Sequence, residues 1–262
     1  MKTFPLLICA ALATVPQPLP AQTNFTQIYA FGDLPDAQMP GGLVRGPDGA
    51  LYGISGAGGA NNYGAVFRLQ PPTSTGAAWT ESVLYSFTIL SGGSGGSGGQ
   101  FPTPVFGPDG ALYGTTAGTV FQLLPPDAPG GPWTETLLYS FPLPAADPSL
   151  IMGSDGTLYG FAYGGAYDQG MIFALSPPQS PRDPWTEYAI YNFTGTVDGS
   201  TPISLITGPN GVLYGTTAFG GSYNDGVLFQ LSPPRPLPAE SGSKLLSTRR
   251  VRIIRQRNST TA

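Results

Sequence analysis

The 262-residue chain has no histidine and a single cysteine. Without an imidazole there is no Ser-His-Asp or Cys-His nucleophile, no histidine proton shuttle and no zinc site of the histidine-bearing kinds. Charged side chains are scarce at 10%, which suits a β-rich extracellular scaffold better than a helical cytosolic one. No run of about 18 apolar residues occurs, so no spanning helix is expected. What the chain has in quantity is glycine (38), proline (29) and aromatic residues (11%). Unperiodic, so much glycine and proline would suggest disorder; between short apolar runs they read as turns.

Residues 1–21 differ from the rest. Lys2 is their only charge, an apolar run from Leu6 to Val15 is too short to span, and Leu19-Pro20-Ala21 offers a small residue before a cut preceding Gln22. They read as a signal peptide, with a disordered N-terminus as the alternative. Cys9 lies here and follows Ile8, which does not suit lipid attachment, so the mature chain would carry no thiol and depend on packing alone. Residues 22–234 hold three basic side chains (Arg45, Arg68, Arg182) against fourteen acidic ones, whereas residues 235–262 hold seven basic ones against Glu240. That basic tail could meet an anionic partner. It has no aromatic residue and none of the signals of the preceding sequence, so it is expected to be disordered, or read out of frame, and no nucleic-acid partner is expected.

A repeat organises residues 22–234. Gly46-Pro47-Asp48-Gly49-Ala50-Leu51-Tyr52-Gly53 leads to Val66-Phe67-Arg68-Leu69, and the pattern returns around Leu112-Tyr113-Gly114, Leu158-Tyr159-Gly160 and Leu213-Tyr214-Gly215. After each of three proline pairs comes Trp-Thr-Glu (at Trp79, Trp133 and Trp185), then a run ending Tyr-x-Phe; Pro233-Pro234 has no such sequel. Each unit thus offers four strands with Asp-Gly and Gly-Gly hairpin signals, an antiparallel meander. The tyrosines lie 61, 46 and 55 residues apart (52 to 113, 113 to 159, 159 to 214), the spacing of propeller blades. The expected fold is all-β, a β-propeller-like array of four four-stranded antiparallel blades.

Residues 26–31 resemble an isolated fourth strand. In a closed ring they would complete the last blade by pairing with residues 227–231 and remove its free edge. The competing reading is that four units are a fragment of a longer ring. Residues 91–99, all Ser and Gly, read as a loop extension.

Asp109-Gly110-Ala111-Leu112-Tyr113-Gly114-Thr115-Thr116, and Gly211 to Thr217 with Gly220-Gly221-Ser222-Tyr223-Asn224-Asp225-Gly226-Val227-Leu228-Phe229, are similar to the GloVer repeat of exported bacterial "choice-of-anchor" proteins. The resemblance covers four units from Gly42 to Pro234. It implies a secreted or surface-displayed propeller-like array and brings no catalytic activity with it. The second unit departs from the pattern, with Ala117-Gly118 in place of Gly-Gly, and the tail carries no recognisable anchor.

Asp48, Asp109, Asp155 and Asn210 occupy equivalent turns, which geometry alone explains. No Asp-x-Asp-x-Asp run offers a calcium site, and no metal or cofactor is expected. In a meander, the loops after the second and fourth strands emerge on one side. There lie Asn61, Asn62 and Tyr63; Tyr167 and Asp168; and Tyr223, Asn224 and Asp225. Asn62, Asp168 and Asn224 share one loop position, where a left-handed backbone would account for them; otherwise this face contacts a ligand, a carbohydrate or a surface protein. Three functions remain: a non-catalytic exported binding module, a structural spacer, or a propeller enzyme acting on polysaccharide through carboxylates and tyrosine.

Overall fold

An Asp-Gly or Asn-Gly pair between apolar runs reverses the chain because its glycine accepts a left-handed backbone, and the computed structural model has four such reversals, three at Asp-Gly and one at Asn210-Gly211. Gly49, Gly110, Gly156 and Gly211 have φ of 81°, 81°, 81° and 72°. Each reversal is closed by a backbone bond from the preceding glycine, as from Gly46 N–H to the Ala50 carbonyl at 2.8 Å. The structure describes residues 25–88, 103–116, 118–141, 150–180, 183–232 and 251–253. The leader-like segment, the Ser/Gly run, Ala117 and most of the tail lie outside the described residues.

Four antiparallel sheets follow one another, each a meander in chain order. Blade 1 is β1 (Ala37–Arg45), β2 (Leu51–Gly58), β3 (Ala65–Gln70) and β4 (Thr80–Ser86). Blade 2 is β5 (Val105–Phe106), β6 (Leu112–Thr116), β7 (Thr119–Leu124) and β8 (Thr134–Ser140). Blade 3 is β9 (Leu150–Met152), β10 (Leu158–Ala162), β11 (Met171–Ser176) and β12 (Thr186–Asn192). Blade 4 is β13 (Ser200–Thr207), β14 (Leu213–Phe219), β15 (Leu228–Leu231) and β16 (Val251–Ile253). This is the all-β, four-bladed propeller arrangement that the repeat predicts.

The repeated motif is explained by two close approaches. The tyrosine of Leu-Tyr-Gly lies over the glycine that precedes the turn, so a Cβ at Gly46, Gly107, Gly153 or Gly208 would fall under 3.0 Å from the ring of Tyr52, Tyr113, Tyr159 or Tyr214. The glycine of Leu-Tyr-Gly lies beneath the third-strand phenylalanine: Gly53, Gly114, Gly160 and Gly215 face Phe67, Phe121, Phe173 and Phe229 under the same limit. A register shift beside Phe67, Phe121 and Phe173 leaves Leu84, Leu138 and Ile190 without a pairing partner on the outer strand, and all three pack into the inter-blade core.

Blades are joined by those phenylalanines. Phe87, at the end of blade 1, meets Phe121 of blade 2 edge to face at 5.3 Å; Phe141 meets Phe173 at 5.0 Å and Phe193 meets Phe229 at 5.2 Å. Around each pair lies an apolar cluster drawn from two adjacent blades. A polar bond runs in parallel: the Tyr85 hydroxyl donates to Glu135 Oε2 and the Tyr139 hydroxyl to Glu187 Oε2, both at 3.3 Å.

The expected pairing of residues 26–31 with residues 227–231 does not occur. The fourth strand of blade 4 comes from the tail, where Phe229, Gln230 and Leu231 pair with Ile253, Arg252 and Val251. Within the tail, expected from the sequence to be disordered or read out of frame, the described residues are this strand. Residues 26–31 form no strand and lie on blade 1. The reason is local. Phe31 meets Phe67 edge to face at 5.1 Å, the place that Phe87, Phe141 and Phe193 take in later blades. A short connection then fixes the segment: Asp36 Oδ2 accepts the Tyr29 hydroxyl at 3.0 Å and the Gly32 N–H at 2.8 Å. Asp198 repeats the device at the same spacing, accepting Tyr191 at 2.8 Å and the Thr194 N–H at 2.9 Å.

Two measurements check this account. Alanine ordinarily suits a strand better than glycine, yet Gly160→Ala should destabilise the fold by about 1–3 kcal/mol, because Phe173 above it is held by Phe141 and cannot withdraw. A denaturation midpoint that rises would contradict the packing. The second concerns pH. Burial pushes the Glu81 carboxyl up to about 7, opposed by the Ala37 N–H and helped by Asp36, and burial also raises Glu135 and Glu187. The folded state therefore holds more protons than the unfolded one above the ordinary glutamate value, and stability falls as pH rises from about 4.5 to about 7. Melting temperature should drop across that window, and by less in Glu81→Gln.

Candidate binding face

The side of the array opposite the Asp-Gly turns gathers the hairpins between second and third strands and the ends of the fourth strands. Bonds tie the two sets together. Ala60 N–H donates to Ser86 Oγ at 3.0 Å, Ala166 N–H to Asn192 Oδ1 at 2.8 Å and Gly221 N–H to the Thr196 carbonyl at 2.8 Å.

The structure separates the sequence-predicted residues into two groups. Asn62 and Asn224 have φ of 58° and 61°, and their Oδ1 atoms accept the Gly58 and Gly220 N–H groups at 3.0 and 2.9 Å, closing their own loops. Asp168 has the same left-handed backbone at φ 55°. Asn61 is also engaged, its Nδ2 donating to the Phe87 carbonyl at 3.1 Å, and Tyr63 is half-buried against the core between blades 1 and 2. The second group faces solvent: Tyr167 at 60% and Tyr223 at 82% exposure, with the carboxylates of Asp168 and Asp225 beside them in sequence and also exposed.

Two further aromatic residues on this face were missed. Tyr163 and Phe219 directly precede the hairpin glycines of blades 3 and 4 and are exposed. The available signal was the broken repeat, because the first unit has Ala57 before its glycine. The exposed rings thus concentrate in blades 3 and 4. Asp198, on the same side, is a buried structural acid. Burial would raise its carboxyl, but the Thr194 hydroxyl and N–H and the Tyr191 hydroxyl outweigh this and hold it below the ordinary range. Tyr191 is correspondingly raised, first by burial and then by Asp198.

On the opposite edge the turn aspartates are occupied. Asp48 Oδ1 accepts the Ala50 N–H at 3.1 Å, and Oδ2 accepts Tyr52 at 2.9 Å and pairs with Arg68 at 2.6 Å. Burial would raise this carboxyl, and Arg68 with the two donors outweighs it. Asp109 and Asp155 accept the Ala111 and Thr157 N–H groups in the same way. Among the described residues no three acidic or thiol side chains converge as a metal site, and no helix is long and apolar enough to cross a membrane.

One carboxylate pair has divergent proton affinities. Glu81 is raised to about 7 chiefly by burial, while Asp36 is lowered, chiefly by the Gly32 N–H. Tyr29 contacts Asp36 and is itself raised to about 12, first by burial. An acid poised high beside an ionised carboxylate can serve general acid-base chemistry. Glu135 and Glu187 hold the equivalent positions in blades 2 and 3, however, where they receive inter-blade tyrosine bonds, so the glutamate position is a repeated structural one.

Several solved structures resemble the chain at low identity. A provisionally assigned gluconolactonase is 15% identical over 79% of this chain with a TM-score of 0.45, and this chain spans 62% of its length. The endo-arabinase of Bacteroides thetaiotaomicron is 13% identical over 78% of both chains (TM-score 0.43). An ulvan lyase bound to its saccharide is 13% identical over 77% of this chain and 54% of its own (TM-score 0.44). No curated protein sequence matches. The model of the Gloeobacter/Verrucomicrobia repeat matches residues 90–241, more than half of the sequence and three of its four Leu-Tyr-Gly units. With blade 1 folding as the matched units do, the chain belongs to the Gloeobacter/Verrucomicrobia repeat family.

Proposed function

We propose that the protein is a non-catalytic exported module that binds carbohydrate through the hairpin face of blades 3 and 4. The observation that carries this reading is the group of exposed rings, Tyr163, Tyr167, Phe219 and Tyr223, placed where the units depart from one another. A tyrosine open to solvent offers an apolar face for stacking on a sugar ring with a hydroxyl at its rim. Asp168 and Asp225 supply acceptors for sugar hydroxyls beside them. Export is supported by the leader-like residues 1–21 and by a mature sequence free of cysteine.

The absence of histidine and the structural use of the glutamates disfavour an enzyme. The Glu81, Asp36 and Tyr29 group keeps a specific polysaccharide-cleaving alternative in view.

A panel of bacterial and plant polysaccharides tested with the folded chain should yield a binder. Tyr167→Ala and Tyr223→Ala should each weaken its capture about tenfold, or about 1.4 kcal/mol, without changing the melting temperature. Capture insensitive to both substitutions, or none from a broad panel, contradicts the proposal. Polysaccharide turnover that Glu81→Gln abolishes would replace it with the enzymatic reading.

A further inference from the structure

The two ends of the array carry opposite halves of one interface. A blade packs the valine or isoleucine of its first strand, half-buried, and that of its third strand, fully buried, against the blade that follows. Val44 and Val66 do this for blade 1, Val105 and Val120 for blade 2, and Ile151 and Ile172 for blade 3. The equivalent residues of blade 4 are Ile206 and Leu228, and they are 60% and 51% exposed, whereas Val66, Val120 and Ile172 are at 0%. Blade 4 therefore presents a forward face with nothing on it among the described residues.

Blade 1 presents the matching receiving face. Leu150 and Leu205 are buried against the preceding blade, while their equivalent in blade 1, Leu43, is 48% exposed. Leu51 is partly exposed where Leu112, Leu158 and Leu213 are buried. Tyr29 and Phe31 cover only part of this face, over Phe67 and Trp79. Ile28, which corresponds in sequence to the core residues Leu84, Leu138 and Ile190, is also exposed. Outer faces of repeat units that meet water are ordinarily polar, and these two faces, among the described residues, are apolar.

We infer that the chain associates head to tail with further copies of itself, the forward face of blade 4 in one copy docking on the blade 1 face of the next. The new contact continues the inter-blade interface already made three times within the chain, with Ile206 and Leu228 entering against Leu43, Leu51 and Ile28. An interface of two different faces does not close as a symmetric dimer; it grows into a ring or a filament.

Sedimentation of the purified full chain over a rising concentration series should show the average mass at least doubling. Leu228→Glu and Leu43→Glu each place a carboxylate in one face of the contact. Each variant should stay monomeric, with the melting temperature that the parent shows at dilutions where it too is monomeric, because both positions are already open to water in the monomer. Mixed one to one, the variants retain one intact face each, and the mixture should stop at a dimer. A parent chain that remains monomeric throughout overturns the inference. So does efficient cross-linking within one chain between cysteines placed at positions 43 and 228, which would mean that blade 4 meets blade 1 of its own copy. Association of the parent that both variants leave unchanged overturns it as well.

Discussion

Each blade here is a thin sheet that has to bury both faces, and the contact that locates its neighbour is the edge of one phenylalanine against the face of another. The ring from the end of a fourth strand meets the third-strand ring of the next blade, which in turn rests on the glycine of Leu-Tyr-Gly. Three residue types are thereby fixed together. The glycine cannot gain a Cβ, the third-strand phenylalanine cannot shift, and the fourth strand must end where its own phenylalanine reaches across. With a single cysteine, hence no disulfide within the chain, and one ion pair, Asp48 with Arg68, among the described residues, this packing and its accompanying tyrosine-to-glutamate bonds carry the cohesion of the array.

The same constraint decides which parts of the architecture could be read in advance. Strand number, meander order and the Asp-Gly reversals follow from local chemistry, and residues such as Gly49 and Leu51 declare them directly. The fate of residues 26–31 does not follow so simply. Their sequence matches a fourth strand, and a fourth strand has two loyalties: hydrogen bonds to its own blade and a phenylalanine directed at the next. In this chain the second prevails, since the Gly32 to Asp36 connection is short and places Phe31 on Phe67. The strand at Val251–Ile253 had no comparable signal, lying in a basic stretch outside the repeat.

The candidate face was legible in outline and less so in detail. Strand order alone places the Gly-Gly hairpins and the fourth-strand ends together. Periodicity also singled out Asn62 and Asn224, but a position that recurs from unit to unit serves the unit, and both side chains close their own loops. Residues that differ between units, Tyr163 and Phe219, are the ones left in solvent. In a repeat protein the architecture lies in the agreement between copies, and specific recognition is to be sought where the copies disagree.

The account stands or falls on whether the phenylalanine pair between blades acts as a unit. A double-mutant cycle on Phe87 and Phe121, each changed to leucine, measures this directly by chemical denaturation. The pair is predicted to show a coupling of about 0.5–1.5 kcal/mol beyond the two single losses. Strictly additive losses would mean that the rings contribute only buried area, and that the edge-to-face contact does not set the position of one blade upon the next.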